Sequence, residues 1–319
     1  MKYAPHCLLG ILAAVLSGCG ACNDCENVVT EAYIHKYGVP VTKNDWKAKG
    51  SCGVVVTKLK DGVTRSQTFD RDILDGVTTY TFPHTDTLAK KELYRQNELI
   101  SETEMFASGN PKREVLYQRN GQQTVKTWYE GGTPRSVEHV CDENILAGQY
   151  YNPSNEIESE VRDLQGTRIV RDAYGQLVSE DEILNGQLAK STTFHTNGTP
   201  KAITPYQDNK AHGLRRTFLA SGEPETIEHW NHGEQTGITV FYSNGEKMSE
   251  VEFVSGERHG VERKFRNGSK VVEEIAWNHD KRHGPTRLLL ETGTRTDWYH
   301  DGKLVSKFAY DELNKRGHR

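Results

Sequence analysis

From Gly237 the chain alternates. Ile238, Val240 and Tyr242 interleave with Thr239, Phe241 and Ser243, and alternation with period two is the pattern of a strand. Asn244-Gly245 follows, the strongest short hairpin-turn signal because both residues tolerate positive φ. Met248, Glu250 and Glu252 then alternate with Ser249, Val251 and Phe253 up to a second turn at Ser255-Gly256. The unit is therefore a β-hairpin. Helix is disfavoured, because each interior glycine costs roughly 1 kcal/mol against alanine.

The hairpin repeats. Gly213, Gly237, Gly260 and Gly284 are separated by 24, 23 and 24 residues, and Gly222, Gly245 and Gly268 follow the first three. A fixed period in this range marks a repeat array. The same beat is present from Gly53 to Gly76, with Asp61-Gly62 between them, and recurs more loosely at Gly109, Gly132, Gly175 and Gly198. Aromatic residues precede many of these turns: Phe106, Trp128, Tyr151, Phe194, Phe218, Phe241 and Phe265. A lone hairpin is marginal in water, and stacking hairpins edge to edge buries a continuous stripe. The expected fold is all-β: an elongated single-layer antiparallel β-meander over residues 53–307, built as one domain of roughly eleven hairpins. Apolar residues at 35% and a mean hydropathy of −0.72 suit a sheet with a thin core.

Outside the array the pattern changes. Lys2 and the apolar run Leu8 to Leu16 read as a targeting segment, too short for the about 20 residues that span a bilayer. Leu16-Ser17-Gly18-Cys19 resembles the lipobox of bacterial lipoproteins. That resemblance implies cleavage of residues 1–18 and a diacylglycerol on the Cys19 sulfur, anchoring the chain to a membrane by burial of its acyl chains. Gly20 stands where an inner-membrane retention signal would carry aspartate, so the outer membrane is favoured. Residues 19–52 read as a lipidated, cysteine-containing linker and cap. Cys22, Cys25, Cys52 and Cys141 remain after Cys19. In an exported protein disulfides are the default, and Cys22 or Cys25 to Cys52 is the first pairing to test. Thr42 to Gly50 reads as one short capped helix closing the N-terminal edge of the sheet. Residues 308–319 are polar and read as a cap or tail.

Without residues 1–18 the chain carries 39 basic and 44 acidic residues, a balance that argues against a nucleic-acid partner. The units GLRRTFLASGEPETIEHW, GITVFYSNGEKMSEVEF and GVERKFRNGSKVVEEIAW resemble the MORN-repeat variant family, and more closely its bacterial antitoxin-like branch. The match is best from Gly186 onward and poor between Gly76 and Gly175, and the eukaryotic Tyr-x-Gly core is kept badly. The resemblance implies a twisted single-layer sheet that binds proteins or lipids. It carries over no catalytic residues.

Candidate chemistry is weighed against that architecture. His212, His259 and His283 each precede a repeat glycine. Successive copies stand roughly 9–10 Å apart, whereas metal ligands lie about 2 Å from one ion, so this column is read as turn or surface histidines and no metal is expected. Glu228, Glu250 and Glu273, with Glu114, Glu138 and Glu180, recur after turn glycines, and Arg216, Arg263 and Arg287 recur after repeat glycines. They are read as cross-strand pairs worth perhaps 0.2–1 kcal/mol each, with a charged recognition stripe as the functional alternative. Trp230, Trp277 and Trp298 close second strands. They either pack along the apolar stripe or form an exposed binding face, the latter being where aromatics favour recognition. No nucleophile elbow, phosphate loop or zinc-protease motif occurs. The expected function is non-enzymatic and cofactor-free: a lipid-anchored envelope scaffold for protein partners. A lipid or cell-wall-glycan binder and an antitoxin-like neutralising partner are the alternatives.

Overall fold

A computed structural model describes residues 27–317; Cys19, Cys22, Cys25 and the lipobox lie outside them. The described residues are all-β and single-layered, with a short helix near each end. They divide into two units, residues 27–176 and 177–317, so the span 53–307 is shared between both. In each unit consecutive strands pair antiparallel as a meander.

The first unit begins earlier than the glycine beat. Strand Val28–His35 pairs along Gly53–Leu59. Its sequence, VVTEAYIH, is rich in the β-branched and aromatic residues that strands favour. The N-terminal edge is therefore a strand as well as a helix. Helix α1 is Lys43–Ala48, and the Thr42 side chain accepts the Asp45 N–H, as the capping pattern predicts. Its one buried residue, Trp46, packs against Tyr33 at 5.6 Å between ring centroids.

The second unit runs from strand Leu177–Leu184 to Lys303–Val305 and ends in helix α2, Lys307–Gly317. Most of the stretch read as a cap or tail is thus helical. Ser306 caps it, its hydroxyl accepting the Ala309 N–H at 3.1 Å.

The two glycine series have different physical causes. Asn244 (φ 51) and Gly245 (φ 74) form a two-residue hairpin turn with both residues left-handed. Gly260, by contrast, sits within a strand. Glu250 pairs with Arg263 and Glu252 with His259, so the single residue Val251 faces three. That irregularity bends the strand, and Gly260 supplies its φ of 70. The same interruption falls beside Gly237 and Gly284. The repeat glycine is a bulge residue, and the second glycine is the turn.

A single layer cannot shield its centre with another sheet. Ile183, Val251 and Ile275 in the second unit, and Val115 and Val161 in the first, are nevertheless almost fully buried. Each contributes about 1.5–3 kcal/mol by leaving water. Small polar residues share the same rows. Thr239 is fully buried, and its hydroxyl accepts from Gln235 Nε2 at 2.8 Å. Long side chains on neighbouring strands supply the cover, their stems packing while their heads stay wet.

Candidate functional site

Register determines which side chains share a face. In the first unit Glu92 pairs directly with Glu102, a like-charge juxtaposition that is unfavourable alone. Lys90 resolves it, its ammonium lying 2.7 Å from Glu92 and 2.9 Å from Glu102. Tyr80 and Tyr94 donate to Glu92, and Tyr117 donates to Glu102 at 2.8 Å. The hydrogen bond from Lys90 is the main reason the Glu102 carboxyl titrates below its usual range. Burial pushes the Lys90 ammonium down, but its bonds to both carboxylates outweigh this and hold it above the ordinary lysine range.

Further along that unit a cavity of about 190 Å³ is lined by Arg135, Glu138, Tyr150 and Arg168, among others. Tyr150 donates to Glu138 at 2.9 Å. Arg135 donates to the Thr127 hydroxyl and to the Arg171 carbonyl, and burial lowers its pKa. Arg171 grips Glu158 with Nε and Nη2, the bidentate geometry that makes such pairs strong.

In the second unit the pairings Thr226–Phe241, Phe241–Ser249, Ser249–Lys264 and Lys264–Glu273 carry one face across successive strands. Trp230 and Trp277 lie on it. Glu228, 8% exposed, accepts from Arg215 at 2.8 Å, Thr226 at 2.7 Å and Trp230 Nε1 at 2.8 Å. Burial pushes its pKa up, but these three donors prevail and hold it below the usual range. Trp277 donates to Glu262 at 2.8 Å. The Arg258 guanidinium lies 3.9 Å from the Trp277 ring and that of Arg282 5.9 Å; Arg282 also reaches the Tyr299 ring at 5.3 Å. The result is an Arg–Trp–Arg–Tyr cluster joined by cation–π contacts.

The opposite face carries a charge ladder. Lys247 meets Glu250 at 2.5 Å, Glu250 meets Arg263 at 3.4 Å, Arg263 meets Glu274 at 3.6 Å and Glu274 meets Arg287 at 3.2 Å. Ile238 and Val261, 50% and 40% exposed, lie beside it. Trp298 belongs to this face: it pairs with Pro285, one position out of register with Thr286 and Ile275. It packs on Tyr310 of α2 at 5.0 Å. The three tryptophans therefore do not form one column.

Of the recurrent charges, Glu250 and Arg263 pair across strands as expected, while others take different partners: Glu228 pairs with Arg215 rather than Arg216, Glu273 with Lys264 at 2.9 Å, Arg287 with Glu274 and Glu114 with Lys126. The expected Cys52 bridge is not formed. Cys52 is a free, buried thiol, and it donates to Asp70 Oδ1 at 3.1 Å. Gly50 and Asp70 hold it in the first unit's core, where a buried thiol packs as a small hydrophobe. Among the described residues Cys141 is the disulfide-bonded cysteine. Each histidine of the repeat column meets a second histidine outside it. His212 faces His232 at 4.8 Å, His259 faces His279 at 5.5 Å and His283 faces His300 at 4.8 Å between ring centroids. A signal for the first two pairs was available, since His232 and His279 are 47 residues apart, as are His212 and His259.

No family model matches the sequence, and no curated protein matches it. Among solved structures it is similar to that of TcdB2-TccC3-TEV, at 9% identity and a TM-score of 0.21, over 84% of this chain and 20% of that one. It is also similar to Sqt1 of Saccharomyces cerevisiae, at 10% identity and a TM-score of 0.22, over 81% of this chain and 82% of that one. The chain spans a fifth of the former, and likenesses this weak carry no argument about fold or function.

Proposed function

We propose that this chain is a non-enzymatic, lipid-anchored repeat protein of a bacterial envelope, and that it binds protein partners through the face bearing Trp230 and Trp277. The observation that carries the reading is the Arg258–Trp277–Arg282–Tyr299 cluster. Trp, Tyr and Arg are the residue types in which interface energy concentrates. Rings and guanidinium groups already held against each other lose little freedom on binding. Glu262 and Glu228 fix the two indoles from the same face. The anchor rests on the resemblance of Leu16 to Cys19 to a lipobox.

The test is cross-linking in intact envelopes followed by co-purification with the wild-type chain and with Trp277→Ala and Arg258→Ala. The same protein should be recovered with the wild type and fall by about tenfold or more in the Trp277 variant, as for a central aromatic anchor. Recovery of lipid or glycan without protein would replace this reading by the lipid- or glycan-binding one. A partner retained equally by both variants would remove this face from the interaction. Cys19→Ala should release the chain from membranes; a variant that stays membrane-bound defeats the anchor.

A further inference from the structure

The geometry points to a divalent transition-metal site, of the zinc class, formed by His283, His300 and Asp301 where helix α2 meets the sheet. Their ligand atoms all lie within 4.8 Å of one another. Two backbone devices bring them together. His283 precedes Gly284, whose φ of 109 belongs to the bulge in strand Lys281–Leu290. His300 ends strand Gly293–His300, and Asp301, at φ 47, opens the Asp301-Gly302 turn. The repeat column considered alone misses this set, because two of its three members come from a strand end and a turn outside the column.

The distances are compatible with a bound ion. Zinc bonds of about 2.0–2.1 Å at tetrahedral angles put neighbouring ligand atoms about 3.3 Å apart. His283 Nδ1 lies 3.2 Å from Asp301 Oδ1, and His300 Nδ1 lies 3.5 Å from Asp301 Oδ2. Each imidazole nitrogen is thus already near that spacing from one carboxylate oxygen, Oδ1 for His283 and Oδ2 for His300. Convergence of both on one ion needs only rotation of the rings and of the carboxylate about χ2, a broad torsion. The environment of His283 Nδ1 is a separate observation. The Asp301 backbone N–H approaches it at 3.4 Å while the Asp301 carboxylate approaches it at 3.2 Å. In the tautomer protonated at Nε2, this nitrogen presents its lone pair toward the carboxylate, the arrangement a cation between them would use.

The surroundings suit a three-ligand site. The imidazoles are sheltered, with side chains 19% and 23% exposed, whereas Asp301 is 57% exposed and leaves one side open to water or a fourth donor. Tyr310 of α2 covers the pair, with ring centroids 5.5 Å from His283 and 6.3 Å from His300. Two imidazoles and one carboxylate fit zinc and its neighbours in the first transition row better than calcium or magnesium. Glu257 lies 2.7 Å from His279, but among the described residues neither the His212–His232 nor the His259–His279 pair has a third ligand atom within 4.8 Å of both. Binding would link strand Lys281–Leu290 to the Asp301-Gly302 turn at the end of the second unit and compete with protons for both imidazoles.

The experiment titrates zinc chloride into the EDTA-stripped full chain by calorimetry, with Co²⁺ absorption as a report on coordination geometry. One ion per chain is expected. His300→Ala and Asp301→Asn should each weaken binding by about tenfold or more, the scale on which metal sites respond to loss of supporting groups. Asp301→Asn is the variant that protects the fold, since Asn also accepts the left-handed turn conformation. His259→Ala with His279→Ala should leave stoichiometry and affinity unchanged. Absence of saturable binding, or a single ion retained undiminished by both His300→Ala and Asp301→Asn, would overturn the site.

Discussion

Glu228 is a charged side chain whose loss should cost the second unit heavily. It accepts three hydrogen bonds, from Arg215, Thr226 and Trp230, at 2.7–2.8 Å while almost buried. Glu228→Ala removes all three acceptors and leaves a guanidinium and an indole N–H facing an apolar gap. A lost charge-assisted bond costs about 1.5–3 kcal/mol and an orphaned buried donor about 1–3 kcal/mol. Arg215 is 30% exposed and can turn toward water, so the sum is discounted to about 3 kcal/mol. Glu228→Gln keeps the shape. Its carbonyl can serve Arg215 and Trp230 while its amide donates to the Thr226 hydroxyl, and only the charge is lost, at about 1 kcal/mol. In a repeat array stability is local, so the assay is amide hydrogen exchange in Gly213–Phe218 and Pro224–Asn231. At tenfold per 1.4 kcal/mol, protection should fall about 100-fold in the alanine variant and about fivefold in the glutamine variant. The wild-type contribution also depends on pH. The folded carboxyl titrates below its unfolded value, so its stabilisation is full above the unfolded value and is lost as pH falls through the folded one. Glu228→Gln should abolish that acid-side loss. Changes within about twofold in both variants, or an unchanged acid limb in Glu228→Gln, would refute the assignment of Glu228 as a structural acceptor.

The remaining predictions concern backbone and thiol. A Cβ at Gly166 would overlap the Glu160 backbone oxygen, and φ there is +146; Gly166→Ala should cost about 2–3 kcal/mol and expose its hairpin to limited proteolysis. At Gly198, φ +84 with open space around it, Gly198→Asn should cost under about 1 kcal/mol. Equal protease sensitivity in the two variants would contradict the strain argument. Cys52 should be alkylated without prior reduction, and only after unfolding, as peptide mass mapping can check; finding Cys52 in a disulfide would contradict its assignment as a free buried thiol.

The hairpin unit was legible because Asn244-Gly245 and the alternation around it are local signals. So was α1, whose Thr42 and Asp45 stand three residues apart. What failed to read depends on register. Gly260 announces a repeat, but that it forms a bulge follows only from the pairing of Glu250 with Arg263 and of Glu252 with His259. Trp277 and Trp298 both close second strands, yet their pairings with Arg282 and Pro285 put them on opposite faces. Strand Val28–His35 went unread because it carries no glycine to continue the beat. Residues 308–319, polar and without a strong apolar stripe, read only as a cap or tail; the order of helix α2 comes from the Ser306 cap and from Tyr310 packing on Trp298. The histidine pairs needed two separate segments to be brought side by side; the shared 47-residue spacing signals His212–His232 and His259–His279, but nothing comparable signals His283–His300.

The charged side chains of this protein follow from its single layer. A second layer would let apolar residues cover the centre of the sheet, and hydropathy would rise. Here threonine, serine and glutamate occupy central rows, as at Thr78, Glu92, Thr239 and Ser249, and an unpaired buried polar group costs about 1–3 kcal/mol. Glu92 is met by Lys90, Tyr80 and Tyr94, and Thr239 by Gln235, whereas the Thr78 hydroxyl has no hydrogen-bond partner; lysine, arginine, tyrosine and tryptophan also cover the row with their apolar stems and rings. The composition that first reads as weakly hydrophobic is thus the core itself, distributed over cross-strand polar networks. The same residues are the ones that recognise partners. A face built from Arg258, Trp277, Arg282 and Tyr299 is structural within the sheet and available outside it. Stability and binding should therefore be coupled at Trp277, whereas at Ile275, two positions away and 1% exposed, substitution should move stability alone.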